Sequence, residues 1–185
     1  MKTAWIDKTI TYDGTQLRSH WIHQQSGTSG DVVAAFIGPA DVPLANMVDL
    51  ADVAASSPIF SRSMLHFLVE HFDTPLTLAV ARQRLLMAIA AEEINRTQKS
   101  SGLERKGDDL YVGDRKLSVS IATASPVSSL IHVGMNIVAE GAPVPAIGLE
   151  ELGVAPKSLA QKVLNRYSEE IHSMRVAICK VRPVP

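Results

Sequence analysis

One lysine follows a tight turn and is a candidate for contact with a reacting anion. Lys116 ends the stretch Gly113-Asp114-Arg115-Lys116, and Asp108 and Asp109 precede this turn. A lysine beside a carboxyl or phosphate group anchors the anion and stabilises the negative charge that develops on its oxygens. The two aspartates could hold a divalent cation or a ribose hydroxyl. A solvated turn with locally paired charges explains the same residues, so both interpretations stay open.

A cation and an imidazole stand two positions apart near the start of the chain. We predict a strand over residues 16–23, whose period of two places Arg18 and His20 on one face. A guanidinium forks onto a carboxylate or phosphate, and an imidazole donates a hydrogen bond near neutral pH. The pair is therefore a candidate for binding the anionic end of a ligand beside Lys116, although a solvent-facing strand explains it as well.

Two polar residues interrupt an apolar run later in the chain. His132 and Asn136 lie four apart, on one side of a strand predicted over residues 128–139. Polar groups in such a run need hydrogen-bond partners. Contact with a ligand and a satisfied place in the core are both open.

The remaining histidines and the single cysteine do not form a metal site by their spacing. His66 and His71 stand five apart, whereas two ligands on one helix stand three or four apart. No metal site is predicted, although one of the two histidines could face a pocket. Cys179 has no base beside it in the sequence and is expected to be structural, and a single cysteine excludes an internal disulfide.

The composition is that of a globular chain with little net charge. It has 185 residues, a net charge of −1 at pH 7 and 46% hydrophobic residues, which predicts a single domain over residues 1–185. A dedicated nucleic-acid binder usually shows a basic face, so nucleic acid is not an expected partner. The first ten residues have no apolar leader, and serines and a proline break the nearly uncharged stretch 117–138. We therefore expect a cytoplasmic protein that does not enter a membrane.

The predicted elements form an α+β fold, with a mixed, mostly antiparallel sheet and three or four helices. Asp13-Gly14 predicts a hairpin between residues 3–6 and 16–23. The apolar run 31–37 predicts a buried central strand that ends at Gly38-Pro39. Further strands are predicted at 76–79, 109–112, 115–124, 128–139 and 176–181, helices at 43–54, 62–72, 80–98 and 156–172, and a polar loop at 99–102. The strands between 108 and 139 are expected to form one three-stranded meander.

The last predicted strand bears on assembly. A strand over residues 176–181 would carry Lys180 as its one charge and would leave a sheet edge. Unpaired edges invite pairing with another chain unless they are covered. A homodimer is therefore predicted.

Two segments resemble the catalytic region of biotin and lipoate protein ligases. Residues 107–116 (GDDLYVGDRK) are similar to the ligase hairpin in which an acidic strand start, a tight turn and a lysine follow one another. Residues 132–138 (HVGMNIV) resemble the next ligase strand, with its glycine-x-asparagine core. The whole chain is identified as a member of the uncharacterised domain of unknown function 366, on the motifs GDVVAAFIGP at 30–39, MVDL at 47–50 and MLHFLVEHF at 64–72.

The resemblance implies a ligase-like fold and a small carboxylic acid as the ligand. The acid would be activated with ATP and Mg²⁺, or an already activated acyl group would be transferred. Lys116 would act at the reacting centre, and Asp108 or Asp109 would serve a metal ion or ribose. The glycine- and arginine-rich loop of the ligases has no counterpart beyond Gly27–Gly30 and Gly38-Pro39. The alternative is therefore a non-catalytic domain of the same fold that binds a small ligand or a nucleotide.

Overall fold

A five-stranded mixed sheet is the centre of the fold. The computed structural model describes residues 1–98 and 102–184. The strands in chain order are β1 (Lys2–Trp5), β2 (Val32–Val42), β3 (Ile59–His71), β4 (Leu103–Lys106), β5 (Asp109–Val112), β6 (Arg115–Lys116), β7 (Ser118–Ala124) and β8 (Ser129–Val138). The main sheet has the order β1-β2-β3-β8-β7, with β1 parallel to β2 and the other neighbours antiparallel, and β4, β5 and β6 form a second, small sheet.

Two long helices cover one face of the main sheet. The helices of the described residues are α1 (Trp21–Ser26), α2 (Leu50–Ala54), α3 (Leu76–Thr97) and α4 (Pro156–Cys179), with a short 3₁₀ turn at Leu44–Asn46. Side chains of α3 and α4 share one core with alternate residues of the strands. On the other face, Ile6, Tyr12 and Trp21 form a second core over β2. The predicted α+β class, with its mostly antiparallel sheet and four helices, is confirmed.

The apolar run at residues 31–37 is the buried strand β2, as predicted. It lies between β1 and β3 and continues past Gly38-Pro39, because an irregularity in the pairing with β3 between Gly38 and Ala40 absorbs the proline. A side chain at position 38 would meet the backbone oxygen of Ile10 at 1.9 Å. Gly38 is therefore the residue that lets the N-terminal segment cross the sheet closely.

The helix predicted over residues 62–72 is wrong, because this segment is strand β3. It pairs with β2 on one side and with β8 on the other. Leu65, Phe67 and Val69 pack toward the long helices, whereas Leu68 packs into the second core. A strand that is buried on both faces is apolar at nearly every position, so its sequence does not differ from that of a buried helix.

The strand predicted at residues 76–79 is also wrong, since these residues form the first turn of α3. The helix begins directly after Pro75 and continues through the predicted range to Thr97. A proline at the entrance does not disturb a helix, because the first turn needs no intrahelical partner for its N–H groups. The loop predicted at 99–102 lies, apart from Gly102, outside the described residues.

The hairpin predicted between residues 3–6 and 16–23 does not form. The carboxylate of Asp13 accepts hydrogen bonds from the N–H and hydroxyl of Thr15, and the chain then enters α1 at Trp21. β1 pairs in parallel with β2 instead. Arg18 and His20 therefore do not share the face of a strand.

The meander predicted between residues 108 and 139 is divided between two sheets. β5 pairs with β6 over Tyr111 to Lys116, and Leu117, fully buried, separates this hairpin from β7. β7 and β8 then pair antiparallel in the main sheet. The predicted strands exist, but they form two hairpins rather than one continuous meander.

The last predicted strand, at residues 176–181, is wrong, because α4 continues to Cys179. The start of this helix at Pro156 agrees with the prediction. The edge strand from which a homodimer is predicted does not exist, because α4 occupies residues 176–179. The helix predicted over 43–54 is reduced to the 3₁₀ turn and α2.

Candidate functional site

Two cavities meet at Lys116, on the sheet face opposite α3 and α4. We call the first the polar chamber: it measures about 150 Å³ and is lined by Tyr12, Asp49, Asp52, Asp108, Asp109 and His132, among others. We call the second the apolar chamber: it measures about 380 Å³ and its lining includes Pro58, Phe60, Met64, Asn136, Pro143 and Val144. Lys116, Asp52, Ile59 and Val119 line both chambers. The two chambers therefore form one cleft with Lys116 at the junction.

Backbone hydrogen bonds on two sides hold Lys116 in place. Lys116 pairs with Tyr111 across the β5–β6 turn, where Gly113 adopts a left-handed φ of 61°. The Lys116 N–H donates to the Pro145 carbonyl at 2.9 Å, and its carbonyl accepts from the Ile147 N–H at 3.1 Å. The lysine is therefore positioned by structured backbone rather than by a free turn.

The ammonium of Lys116 forms an ion pair with Asp109, with 2.7 Å between Nζ and Oδ2. Burial by itself lowers the pKa of Lys116, but the hydrogen bond and the charge of Asp109 outweigh this effect and hold the pKa above its usual value. Burial raises the pKa of the Asp109 carboxyl, and the ammonium offsets part of this rise. The lysine is thus a charged group whose partner lies inside the cleft.

Asp108 is paired with a different cation. Its Oδ1 lies 3.2 Å from Nη1 of Arg84 on α3, and its backbone carbonyl accepts a hydrogen bond from the Ser120 hydroxyl at 2.6 Å. Asp108 and Asp109 are adjacent in sequence, yet each carboxylate is neutralised by its own cation. Within residues 1–98 and 102–184, no group of three or more acidic, histidine or cysteine side chains is arranged to hold a metal ion. The pair does not have the geometry of a built magnesium site.

A chain of hydrogen bonds connects the polar chamber to the interior of the sheet. His66 Nε2 lies 3.2 Å from the Gly38 carbonyl oxygen, and His66 Nδ1 lies 3.1 Å from His132 Nε2. Tyr12 stacks on the His132 ring, with 3.7 Å between centroids and 11° between planes. Burial lowers the pKa of His66 to about 4 and that of His132 well below its usual value, so both imidazoles are neutral at pH 7.

Asn136 stands in the apolar chamber, two strand positions beyond Gly134. It is 9% exposed, and its side-chain nitrogen lies 3.5 Å from the Lys116 carbonyl oxygen. Its backbone N–H donates to the Leu117 carbonyl at 2.9 Å. Lys116, Asp108, Asp109, His132 and Asn136 thus line one cleft.

Arg18 and His20 do not take part in this site. The guanidinium of Arg18 donates to the Gln24 side chain at 2.7 Å on the surface. The His20 ring packs near Phe72, and its backbone N–H donates to the carboxylate of Glu70 at 3.0 Å. The prediction that the two residues lie beside Lys116 is wrong, because it required a strand at residues 16–23.

Residues that line the polar chamber without being predicted as site residues include Tyr12, Asp49 and Asp52, and His66 lies behind His132. Asp49 lies inside the MVDL motif, which is a signal that could have found it. Its carboxylate accepts from the N–H groups of Ala51 and Asp52 and caps α2. Tyr12 reaches the cleft through the crossing at Gly38, and His66 reaches His132 through the pairing of β3, which no local pattern reveals.

The fold is that of the biotin and lipoate protein ligases. A biotin protein ligase of Aquifex aeolicus in complex with biotin aligns with a TM-score of 0.59 at 16% identity, covering 93% of this chain and 70% of that chain. Ta0514 of T. acidophilum, assigned as a lipoate protein ligase and holding lipoic acid, aligns with a TM-score of 0.56 at 13% identity, covering 93% and 86%. At these identities the likeness establishes the fold and not the activity.

The chain belongs to the family named domain of unknown function 366, whose model matches residues 1–182. A protein of unknown function from Pyrococcus horikoshi aligns over all of both chains with a TM-score of 0.93 and 38% identity. The uncharacterized protein MJ0805 of Methanocaldococcus jannaschii is 35% identical over 191 residues, covering 100% of this chain and 86% of that protein. No helix among the described residues is long and apolar enough to cross a membrane.

Proposed function

We propose that the cleft binds a small carboxylic acid or its activated acyl form, and that Lys116 contacts the carboxyl or phosphate oxygens. The observation that carries this proposal is the place of Lys116. It lines both chambers, and it is the one lysine or arginine side chain among the described residues that lines either. A ligand with a polar part and an apolar part would put the group that joins them next to the ammonium.

Two reactions suit this placement. The first is activation of the acid at the expense of ATP, in which a carboxylate oxygen attacks the α-phosphorus and pyrophosphate leaves. The second is transfer of an acyl group that arrives already activated, in which an acceptor nucleophile bonds to the acyl carbon and the activating group leaves. In either reaction the fixed charge of Lys116 stabilises an oxygen that becomes more negative. Asp109 positions the ammonium, and Asn136 steadies the backbone carbonyl of Lys116.

ATP and Mg²⁺ are implied by the resemblance to ligases, but Asp108 and Asp109 are not free to bind Mg²⁺. Asp108 and Asp109 are each paired with a cation, so a magnesium ion would have to displace Arg84 or Lys116. We therefore derive no step through a metal ion. In this proposal Asp109 orients the lysine, and Asp108 accepts hydrogen bonds from a ligand hydroxyl.

A second candidate function is binding without catalysis. It is favoured by the absence of arginine from the described lining of both chambers, because the ligases carry an arginine-rich loop over the acyl-adenylate. Such a protein would bind a small acid or a nucleotide and release it unchanged. The fold and the cleft are the same for both functions, and the reaction alone distinguishes them.

The test compares Lys116→Met with Arg115→Met. Methionine keeps much of the lysine stem and removes the charge, and Arg115 is an exposed neighbour that pairs with Glu151 outside the cleft. We expect Lys116→Met to weaken the binding of carboxylic acids by about tenfold or more, the size of a lost charge-assisted hydrogen bond. Equal affinities of the two variants in calorimetric titrations would contradict the proposal.

Pyrophosphate exchange with ATP and a panel of small acids separates the two functions. Exchange that is lost in Lys116→Met supports activation. Binding without exchange, and without transfer from preformed acyl donors, supports the binding module. A panel that shows no binding at all would contradict both.

We propose a cytoplasmic protein of one ligase-like domain, on the composition of the chain. A homodimer stays a prediction whose original argument fails, since α4 occupies the segment expected to form an edge strand. Sedimentation at micromolar concentration tests it, and a species of 20.0 kDa, the mass of one chain, would contradict it.

A further inference from the structure

The hydrogen-bond chain behind the polar chamber determines which nitrogen of His132 carries the proton. A carbonyl oxygen accepts and never donates, so His66 Nε2 must donate its hydrogen to Gly38. A neutral imidazole has one N–H, so His66 Nδ1 accepts, and His132 Nε2 donates to it. The remaining nitrogen, His132 Nδ1, therefore holds a lone pair. Nothing in the described part of the chain donates a hydrogen bond to it.

His132 thus offers an unused acceptor to the polar chamber. The side chain is 2% exposed, lines that chamber, and is held by the Tyr12 stack on one side and by His66 on another. Rotation of the ring would break the chain to Gly38, so this tautomer is fixed by the fold. A ligand group that donates a hydrogen bond would satisfy Nδ1. A hydrocarbon would leave it unpaired, which is costly in a buried position.

The charges around the chamber favour the same kind of group. Of the four lining carboxylates, Asp108 is neutralised by Arg84 and Asp109 by Lys116. Asp49 caps α2 through backbone N–H groups, which leaves its charge in place. Asp52 has no ion pair among the described residues, but it lies near enough to Lys116 for its charge to help raise the pKa of that lysine. The four carboxylates therefore exceed the two cations, Arg84 and Lys116, by two negative charges. A phosphate or carboxylate entering this space is repelled, whereas a cation is attracted.

We propose that the ligand of the cleft is a carboxylic acid, or its acyl form, that also carries an amine, and that this amine occupies the polar chamber. The ammonium would donate a hydrogen bond to His132 Nδ1 and pair with Asp52, while the carboxyl group lies at Lys116. The position of the carboxyl group rests on the function proposed above; the position of the amine rests on His132 and the aspartates alone.

A matched ligand series on the full chain tests this. Calorimetric titrations at pH 7 compare plain carboxylic acids of three to eight carbons with the ω-amino acids and the alkylamines of the same length. Amines are protonated at this pH. We expect the best ω-amino acid to bind about tenfold or more tightly than the plain acid of equal length, as a charge-assisted hydrogen bond provides. Equal or weaker binding of the amino acids would overturn the proposal.

Two variants test whether Asp52 and His132 cause the preference for an ω-amino acid over a plain acid. Asp52→Asn removes the unpaired charge, and His132→Phe keeps the ring against Tyr12 but removes the acceptor. Each should reduce the preference for the amino acid over the plain acid of equal length by about tenfold, and this ratio of affinities within one variant is the readout. Asp114→Asn, an exposed turn residue outside both chambers, is the control and should leave this ratio unchanged. If His132→Phe does not fold, Asp52→Asn decides, and an unchanged preference in it would contradict the proposal.

The outcomes of this series separate the two proposals. Binding of the alkylamines without the acids would support the amine site and contradict the carboxyl site at Lys116. If the acids bind in a way that depends on Lys116, and the amino group adds no affinity, the carboxyl site at Lys116 is supported and the amine site is contradicted. A response to Mg²⁺ alone that Asp52→Asn abolishes would show a metal site and overturn the amine. Nitrogen NMR of the His132 ring checks the tautomer directly, and a proton on Nδ1 of the free protein would overturn the argument.

Discussion

Two buried polar clusters lie on opposite faces of the same sheet, and strand β3 supplies a histidine to each. His71 faces the long helices, where its Nδ1 donates to Asp31 at 3.4 Å and its Nε2 accepts from the Tyr167 hydroxyl at 3.0 Å. His66 faces the cleft and joins Gly38 to His132. The five positions between the two histidines place them on different faces, because strand side chains alternate.

The difference between the clusters is whether their hydrogen bonds are complete. Both ring nitrogens of His71 have partners inside the protein, so this cluster joins β3 to α4 and has nothing to offer a ligand. The chain on the other face ends at His132 Nδ1, which lacks a described partner and lines a cavity. Burial lowers the pKa of His66 and of His71 to about 4 alike. A low pKa therefore does not mark a functional histidine here; the incomplete hydrogen bond does.

The largest expected effect is on stability, at the cluster of His71, Asp31 and Tyr167 that faces the long helices. Tyr167 is fully buried under α4, so Tyr167→Ala should lower the free energy of unfolding by about 3–5 kcal/mol. Tyr167→Phe keeps the ring and leaves His71 Nε2 unpaired, and should cost about 1–3 kcal/mol. Urea unfolding measures both. Because this cluster does not line the cleft, Tyr167→Phe should leave ligand affinity unchanged, and a loss of affinity would contradict the separation of the two faces.

The two clusters should respond in the same way to acid. The pKa of each histidine is lowered on folding, so between its usual value of 6.5 and about 4 the unfolded chain binds protons that the folded chain does not. Stability is therefore complete above pH 6.5 and declines as the pH falls below it. From pH 7.5 to pH 5 we expect a loss of about 2 kcal/mol for each histidine.

Unfolding of His66→Gln and His71→Gln at several pH values checks this. Each variant should lose its own share of the pH dependence and retain the larger part, because His132, whose pKa is lowered as well, contributes a third share. A free energy of unfolding that is flat between pH 7.5 and 5 in the native protein would show that the buried imidazoles accept protons without cost.

The smallest expected effect is on ligand affinity and tests the role of the Lys116–Asp109 ion pair. Asp109 and a bound carboxylate compete for the same ammonium, so Asp109→Asn should tighten the binding of a plain carboxylic acid by roughly three- to tenfold, or about 0.6–1.4 kcal/mol. The partly exposed pair contributes little to folding, and the free energy of unfolding should change by about 1 kcal/mol or less. Weaker binding in Asp109→Asn would mean that the carboxylate is needed to hold the lysine in position.

Much of the cleft could be predicted from local sequence, because it lies on one hairpin and one strand. The Gly113 turn places Lys116 after Asp108 and Asp109 within ten residues, and the alternation of β8 puts His132 and Asn136 on one face. These relations depend on backbone geometry over short distances. The error at Arg18 and His20 has the opposite origin: alternation was applied to residues 16–23, where the Asp13 turn and α1 replace a strand.

By itself, the sequence determined the α+β class, the buried strand β2, the long helix over residues 80–97, the helix that begins at Pro156, and the hairpin that presents Lys116. These features depend on hydrophobic periodicity, turn residues and prolines, whose effects act within a few positions. The tertiary structure alone decided that residues 59–71 are a strand, because only pairing with β2 and β8 distinguishes a doubly buried strand from a buried helix. It also decided that Tyr12, Asp52, His66 and His132 meet, since their contacts join segments far apart in the chain, and the backbone crossing at Gly38 has no local signal.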